Sequence, residues 1–196
     1  MSSTAITSSI AALCVLILAG ACSPEPTTQT AAPSPALSAS VDAPLAPDVP
    51  IPGGIAQLVP YGREPWPGII TAGQPSKDDF ESLREAGIRT VINLRNPSER
   101  GTRDEPAWMQ ELGLDYISIP VDGAAGLSEE LARELDRCLQ SADGPFLVHC
   151  GSSNRVGAAF ALRAFYLQGE NAETALQIGR AAGMTRLESV VRDLLN

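Results

Sequence analysis

Phe146-Leu147-Val148-His149-Cys150-Gly151-Ser152-Ser153-Asn154-Arg155-Val156-Gly157 is the stretch on which the reading of this chain turns. Phe146 to Val148 reads as a short apolar strand. His149 to Arg155 is a loop of small and polar residues. Val156 to Leu167 reads as a helix that is apolar nearly all round, hence central and buried. A strand passed through a tight loop into a buried helix is the joint of a parallel sheet, and such sheets place ligands at the carboxyl ends of their strands.

The same alternation extends to either side. Gly68 to Ala72 reads as a strand. Ser76 suits the N-cap of a helix over Lys77 to Ala86, with Phe80 and Leu83 on one face and Gly87 just past its end. Thr90 to Leu94 is an apolar strand, a short helix follows over Asp104 to Leu112, and Tyr116 to Val121 is strand-like. Ser128 caps a helix to Ser141, with Leu131, Leu135, Cys138 and Leu139 at i, i+4, i+7 and i+8. Asn171 and Leu187 open two more helices, and no internal repeat is present. Residues 58–196 are therefore expected to form one α/β domain with a mostly parallel central sheet flanked by helices.

The residues ahead of that domain have a different texture. Ile10 to Ala21 is uncharged and apolar but too short to span a bilayer. It suits the apolar region of a signal peptide over residues 1–21. Leu18-Ala19-Gly20-Ala21-Cys22 resembles a bacterial lipobox, which implies that Cys22 is lipidated and becomes the mature N-terminus. Ser23 after it implies, by the sorting rule, the outer membrane of a two-membrane host. An ordinary cleaved signal peptide with an incidental Cys22 is the alternative. Residues 22–57 are rich in Pro, Ala, Ser and Thr, without hydrophobic period, and are expected to form a disordered tether. The domain is thus expected outside the cytoplasm, anchored to the membrane.

With 14 Lys and Arg against 23 Asp and Glu, the net charge is −9, which argues against a nucleic-acid partner. A local anion pocket remains open to such a chain. One His and four Cys without metal-ligand spacing predict no metal, and no cofactor is called for.

The chemistry concentrates in the loop. Its backbone N–H groups and the N-terminus of the following helix can converge on an anion. The same field favours thiolate over thiol at Cys150. Arg155 can fork onto two oxygens of an oxyanion. Gly151, Ser152 and Ser153 let the backbone come close. The other reading is a buried structural Cys with Arg155 as a capping charge. His149 is expected to hydrogen-bond within the loop and hold its shape. Cys138 is expected in the core of its helix, with a disulfide to Cys150 open in an oxidising compartment. Arg95 at the end of its strand could add positive potential at the loop or pair with Glu99 in a surface bridge worth little, and the structural role is the one expected. Trp66 and Trp108 are expected to serve packing.

Thr71-Ala72-Gly73-Gln74-Pro75, Thr90-Val91-Ile92-Asn93-Leu94-Arg95, Ile119-Pro120-Val121 and the loop His149 to Arg155 occur in that order. Together they resemble bacterial protein tyrosine phosphatase-like proteins, related to dual-specificity phosphatases and to the phosphatase-like domain of beta-lactamase hydrolase-like proteins. The resemblance covers residues 58–196. It implies a phosphatase-like fold with Cys150 as nucleophile and Arg155 as phosphate ligand. His149, Gly151, Ser152, Ser153 and Asn154 would complete the phosphate-binding loop, and the substrate would be a phosphorylated protein or small phosphate ester.

Such a reaction needs a general acid. Asp122, ahead of Gly123-Ala124-Ala125-Gly126, lies where a mobile acid loop would sit, with Asp104 and Glu105 as lesser candidates. Four residues separate Cys150 from Arg155 where the wider superfamily has five, and Val156 stands where Ser or Thr is usual. The shorter spacing also resembles the loop of rhodaneses, which would carry a persulfide on Cys150 and take a sulfur donor. A non-catalytic anion- or partner-binding lipoprotein is the third reading.

Overall fold

The structure, a computed structural model, describes residues 53–196. The expected signal peptide (1–21), the lipidated Cys22 and most of the tether (22–57) lie outside the described residues. The last tether residues do not: together with Leu58 they form a 3-10 turn, Ile55–Leu58, in which Ile55 is buried. The packed domain therefore includes residues at least three positions ahead of Leu58, because Ile55 and Val59 join the core against Phe80 and Leu83.

Five strands form one sheet: β1 (Arg63–Trp66), β2 (Ile69–Ala72), β3 (Thr90–Asn93), β4 (Asp115–Ser118) and β5 (Phe146–His149). Their order is β1-β2-β5-β3-β4, with β1 antiparallel to β2 and every other pair parallel. The mostly parallel α/β sheet matches the expectation, and β1 is an addition to it. Arg-Glu-Pro-Trp carries two charges and a proline, so it offers no apolar run. Proline is tolerated there because β1 is an edge strand. At the other edge β4 is shorter than Tyr116–Val121. The ladder continues by Ile119 N–H to the Asn93 carbonyl and Val121 N–H to the Leu94 carbonyl. Pro120 between them has no N–H to give.

Among the described residues six α-helices cover the sheet: α1 (Lys77–Glu85), α2 (Glu105–Leu112), α3 (Glu129–Ser141), α4 (Asn154–Gln168), α5 (Ala172–Ala181) and α6 (Glu188–Leu194). Ser76 and Asp79 close a reciprocal capping box on α1. Ser128 and Asn171 cap α3 and α5 through their side chains, as expected. On α3 the stripe Leu131, Leu135 and Leu139 is buried, while Cys138 is half-buried at its margin with a free thiol. Cys150 is also a free thiol, so no disulfide joins them.

Alternation along the strands sorts the two layers. Ile69, Ile92, Phe146 and Val148 pack against α3, α4 and α5, whereas Ile70, Val91 and Leu147 pack with Phe80, Leu83 and Met109 of α1 and α2. Helix α4 is buried over most of its length, and its one buried charge, Arg163, is paired with Asp136 of α3 at 2.6 Å. Close contact with α5 depends on Gly157, where a Cβ would stand 2.1 Å from the Met184 nitrogen and 2.5 Å from the Gly179 carbonyl.

Candidate active site

Strands β2, β3 and β5 run parallel, so their carboxyl ends meet at one edge. The loop that follows β5 is held there from both sides. Cys150 N–H donates to the Ala72 carbonyl at 3.2 Å, and the His149 carbonyl accepts from Leu94 N–H at 2.9 Å. Gly73, with the Gly151 carbonyl only 3.1 Å from where its Cβ would be, lets the chain after β2 approach the loop.

Helix α4 begins at Asn154, two residues earlier than its apolar run suggests. Arg155 therefore sits in its first turn, where N–H groups lack intrahelical acceptors and the helix end is electropositive. Ser153 precedes the helix with φ of 62°, a left-handed conformation unusual outside glycine. That turn points its hydroxyl away from the loop's open side, where it donates to the Ala182 carbonyl at 2.9 Å.

Above the loop is a cavity of about 870 Å³ lined by Cys150, Gly151, Ser152, Asn154 and Arg155, together with Asp122, Asn96, Ser98, Glu99 and Arg186. Six of the sequence-predicted residues thus meet around one space. Asp122 is exposed there, on a tight turn in which its carbonyl accepts from Gly126 N–H at 3.0 Å. A Cβ at Gly126 would lie 2.6 Å from the Asp122 nitrogen, so this turn requires glycine.

Two loop residues are corrected. Ser153 does not line the cavity, for the reason just given. His149 does not hydrogen-bond within the loop: neither ring nitrogen has a hydrogen-bond partner. Strand alternation sends its side chain to the opposite face from Cys150. There the ring meets Phe80 edge-on, with centroids 5.8 Å apart, and Nε2 lies 3.6 Å from a Glu105 carboxylate oxygen. At that separation the pair is a polar contact rather than a hydrogen bond.

Glu105 is fully buried, which removes it as a general acid of the cavity. Its carboxylate accepts from Asn93 Nδ2 at 2.7 Å, Tyr116 Oη at 3.0 Å and Gln74 Nε2 at 2.5 Å. Burial pushes this carboxyl up, but His149 and these donors outweigh burial and hold it below the ordinary carboxylate range. Burial also raises the Tyr116 hydroxyl, to about 12. Asp104 is exposed and lies outside the cavity lining. Trp66 and Trp108 pack against Phe160 and Phe80, as expected of them.

Glu99 has a role that its neighbours in sequence do not announce. It is no isolated surface partner of Arg95. It grips Arg155 with both oxygens, Oε1 to Nη1 at 2.6 Å and Oε2 to Nη2 at 2.8 Å, while Oε2 also accepts from Arg95 Nε at 3.0 Å. Arg155 Nη1 further donates to the Val121 carbonyl at 3.0 Å. The Arg155 guanidinium, with Arg95 and the Asn96 N–H beside it, lowers the Glu99 carboxyl to about 2. The pairing raises Arg155 in turn. Arg95 has the structural role expected of it but not on the surface: it is buried, held by Gln74, Glu99 and the Arg100 carbonyl. The guanidinium of Arg155 is thus fixed at the cavity wall before any ligand enters.

Comparison with known proteins gives this geometry a family. Residues 67–170 match the family described as polymorphic toxin system, DSP-PTPase phosphatase. A beta-lactamase hydrolase-like protein of Xylella fastidiosa is 34% identical over 98 residues, 48% of this chain and 22% of that relative, so the chain corresponds to about a fifth of that protein. Dual specificity protein phosphatase 26 of Mus musculus is 26% identical over 69% of this chain and 66% of that protein. Among solved structures, a candidate phosphatase from Neisseria meningitidis superposes with a TM-score of 0.58 at 20% identity, covering 68% of this chain and 95% of that one. TpbA of P. aeruginosa, solved in complex with phosphotyrosine, gives 0.50 at 24% identity, covering 65% and 82%. The structural likenesses carry the fold, and the match over 67–170, more than half of the chain, carries the family: the chain belongs to the DSP-PTPase phosphatase family.

Proposed function

We propose that the chain hydrolyses phosphate monoesters with Cys150 as nucleophile, Arg155 as phosphate ligand and Asp122 as general acid. The observation that carries this reading is the shared cavity of these three side chains at the N-terminus of α4. The Cys150 thiolate attacks phosphorus, the ester P–O bond breaks, and the Asp122 carboxyl gives its proton to the leaving oxygen. Water then attacks the phosphorus of the cysteinyl phosphate and passes a proton to the Asp122 carboxylate. The P–S bond breaks to return the thiolate and release inorganic phosphate. Arg155 and the loop N–H groups stabilise the transferring oxygens in both steps. Glu99 is a positioning residue that presents Arg155 already oriented. The substrate is a phosphorylated protein side chain or a small phosphate ester, a class supported by the phosphotyrosine held by TpbA.

Reduced full-length chain should turn over p-nitrophenyl phosphate in EDTA. Cys150→Ser should abolish the turnover, and Asp122→Asn should lower kcat by about 10²–10⁴-fold. Wild type without turnover overturns the reading, and thiocyanate formed from thiosulfate and cyanide would move the chain to sulfur transfer. For location, we propose export and a lipid anchor at Cys22 on the membrane, supported by the apolar run and lipobox-like residues 18–22. Cys22→Ser should then release the protein from the membrane fraction, and unchanged membrane association would end that proposal.

A further inference from the structure

The cavity over Cys150 is larger than a phosphate group requires. Its volume of about 870 Å³ falls among pockets that enclose whole small-molecule ligands, roughly 300–1,000 Å³. Among the described residues no aromatic side chain lines it, so an aryl group finds no ring there to stack on. The walls are polar instead: Asn96, Ser98 and Ser152 offer amide and hydroxyl groups, and Leu187 is the one large aliphatic side chain.

Two arginines line this space, and their situations differ. Arg155 is gripped by both oxygens of Glu99. Arg186 is exposed and has no ion-pair partner among the described residues. Its backbone is nevertheless fixed. The Asn154 side-chain oxygen accepts from Thr185 N–H at 2.7 Å, the Thr185 hydroxyl at 3.2 Å and Leu187 N–H at 3.3 Å. The residues on both sides of Arg186 are therefore tied to the first turn of α4, beside Arg155. Formal charges among the lining cancel: Arg155 and Arg186 against Glu99 and Asp122. Once Cys150 ionises, the balance is negative, and a polyanion needs a cation that no carboxylate already holds. Arg186 is that cation.

Resting on the phosphate-monoester reading, we propose that Arg186 is a second anion contact and that the site takes small phosphate esters bearing a second anionic group across the molecule from the scissile phosphate. Arg155 and the loop hold the reacting phosphate, and the Arg186 guanidinium pairs with the second anion in a charge-assisted hydrogen bond.

The test is calorimetric binding to the full-length Cys150→Ser chain, which cannot turn substrate over. Fructose 1,6-bisphosphate should bind about tenfold tighter than fructose 6-phosphate. Arg186→Ala in the same background should bring the two affinities within about twofold, while Arg186→Lys keeps part of the preference. Equal or undetectable binding of the two sugars, or a preference that survives Arg186→Ala, overturns the proposal. Turnover of p-nitrophenyl phosphate by the wild type tests the hydrolysis reading separately. An inactive wild type whose Cys150→Ser form still prefers the bisphosphate through Arg186 would sink hydrolysis and keep the contact.

Discussion

On the α3, α4 and α5 side of the sheet, apolar packing continues from Phe146 and Val148 up to Cys150 itself. On the α1 and α2 side, at the same level, the sheet meets Asn93, Glu105 and His149, all fully buried and polar. The two sides thus support one loop by different means. The apolar side fixes where the backbone runs, through contacts such as Gly157 against α5 that leave no room for adjustment. The polar side directs the charged groups. From Glu105 it runs through Gln74 to Arg95, on to Glu99, and ends at Arg155. Strand alternation divides the work, since His149 and Cys150 are neighbours that face opposite ways.

Substitutions on each side can break or sharpen this contrast. The largest effect belongs to the apolar side. Gly157→Ala puts a Cβ into the Met184 and Gly179 backbone and should cost about 3 kcal/mol or more, read as a lower urea midpoint or loss of soluble protein. A wild-type midpoint would mean that α4 and α5 can separate freely. On the polar side, Glu105→Ala strips the acceptor from Asn93, Tyr116 and Gln74 and should cost about 3 kcal/mol, with Glu105→Gln costing about half of that. A loss below about 1 kcal/mol would show that water reaches this side, and the contrast would fail.

Glu99→Gln comes next, at about 1–2 kcal/mol near neutral pH, because Gln keeps the shape but not the charge that holds Arg155. With its carboxyl lowered to about 2 in the fold, Glu99 contributes fully above its ordinary range near 4.5. That contribution fades as pH falls from there toward 2. The difference in Tm between wild type and Glu99→Gln should be flat from pH 5 to 8 and shrink below pH 4. A difference that grows in acid would place the carboxylate outside the clamp. The smallest effect is expected at Ser153→Gly, within about 0.5 kcal/mol of wild type. Relief of a positive φ offsets the lost bond to Ala182.

Much of this was legible in the order of residues. The strand, small-residue loop and helix around Cys150 set the fold class, and the caps Ser76, Ser128 and Asn171 marked helix starts by local chemistry. The cavity residues Cys150, Arg155 and Asp122 could be singled out because each belongs to a recognisable local pattern. The clamp could not. Glu99 and Arg155 are 56 positions apart, and what joins them is the parallel pairing of β3 with β5, which sets the two strand ends side by side. Nothing near Glu99 distinguishes it from a surface acid. Glu105 likewise opens a helix whose pattern invites a solvated carboxylate, and only the packing of α2 on the sheet buries it. Strand β1 escaped notice because an edge strand needs no apolar run. Arg186 lies outside the family-matched stretch, in a turn held by the side chain of Asn154.

That tether has a mechanical consequence. Asn154 and Arg155 are adjacent in α4, so the Asn154 side chain makes the turn at 185–187 move as one body with the helix that carries the phosphate ligand. One jaw of the cavity is therefore a single rigid piece. The other jaw, formed by the chain after β3 and β4 with Glu99 and Asp122, is bound to it through the Arg155 guanidinium. The two jaws are therefore pinned together by one side chain, the same one that the site offers to a phosphate.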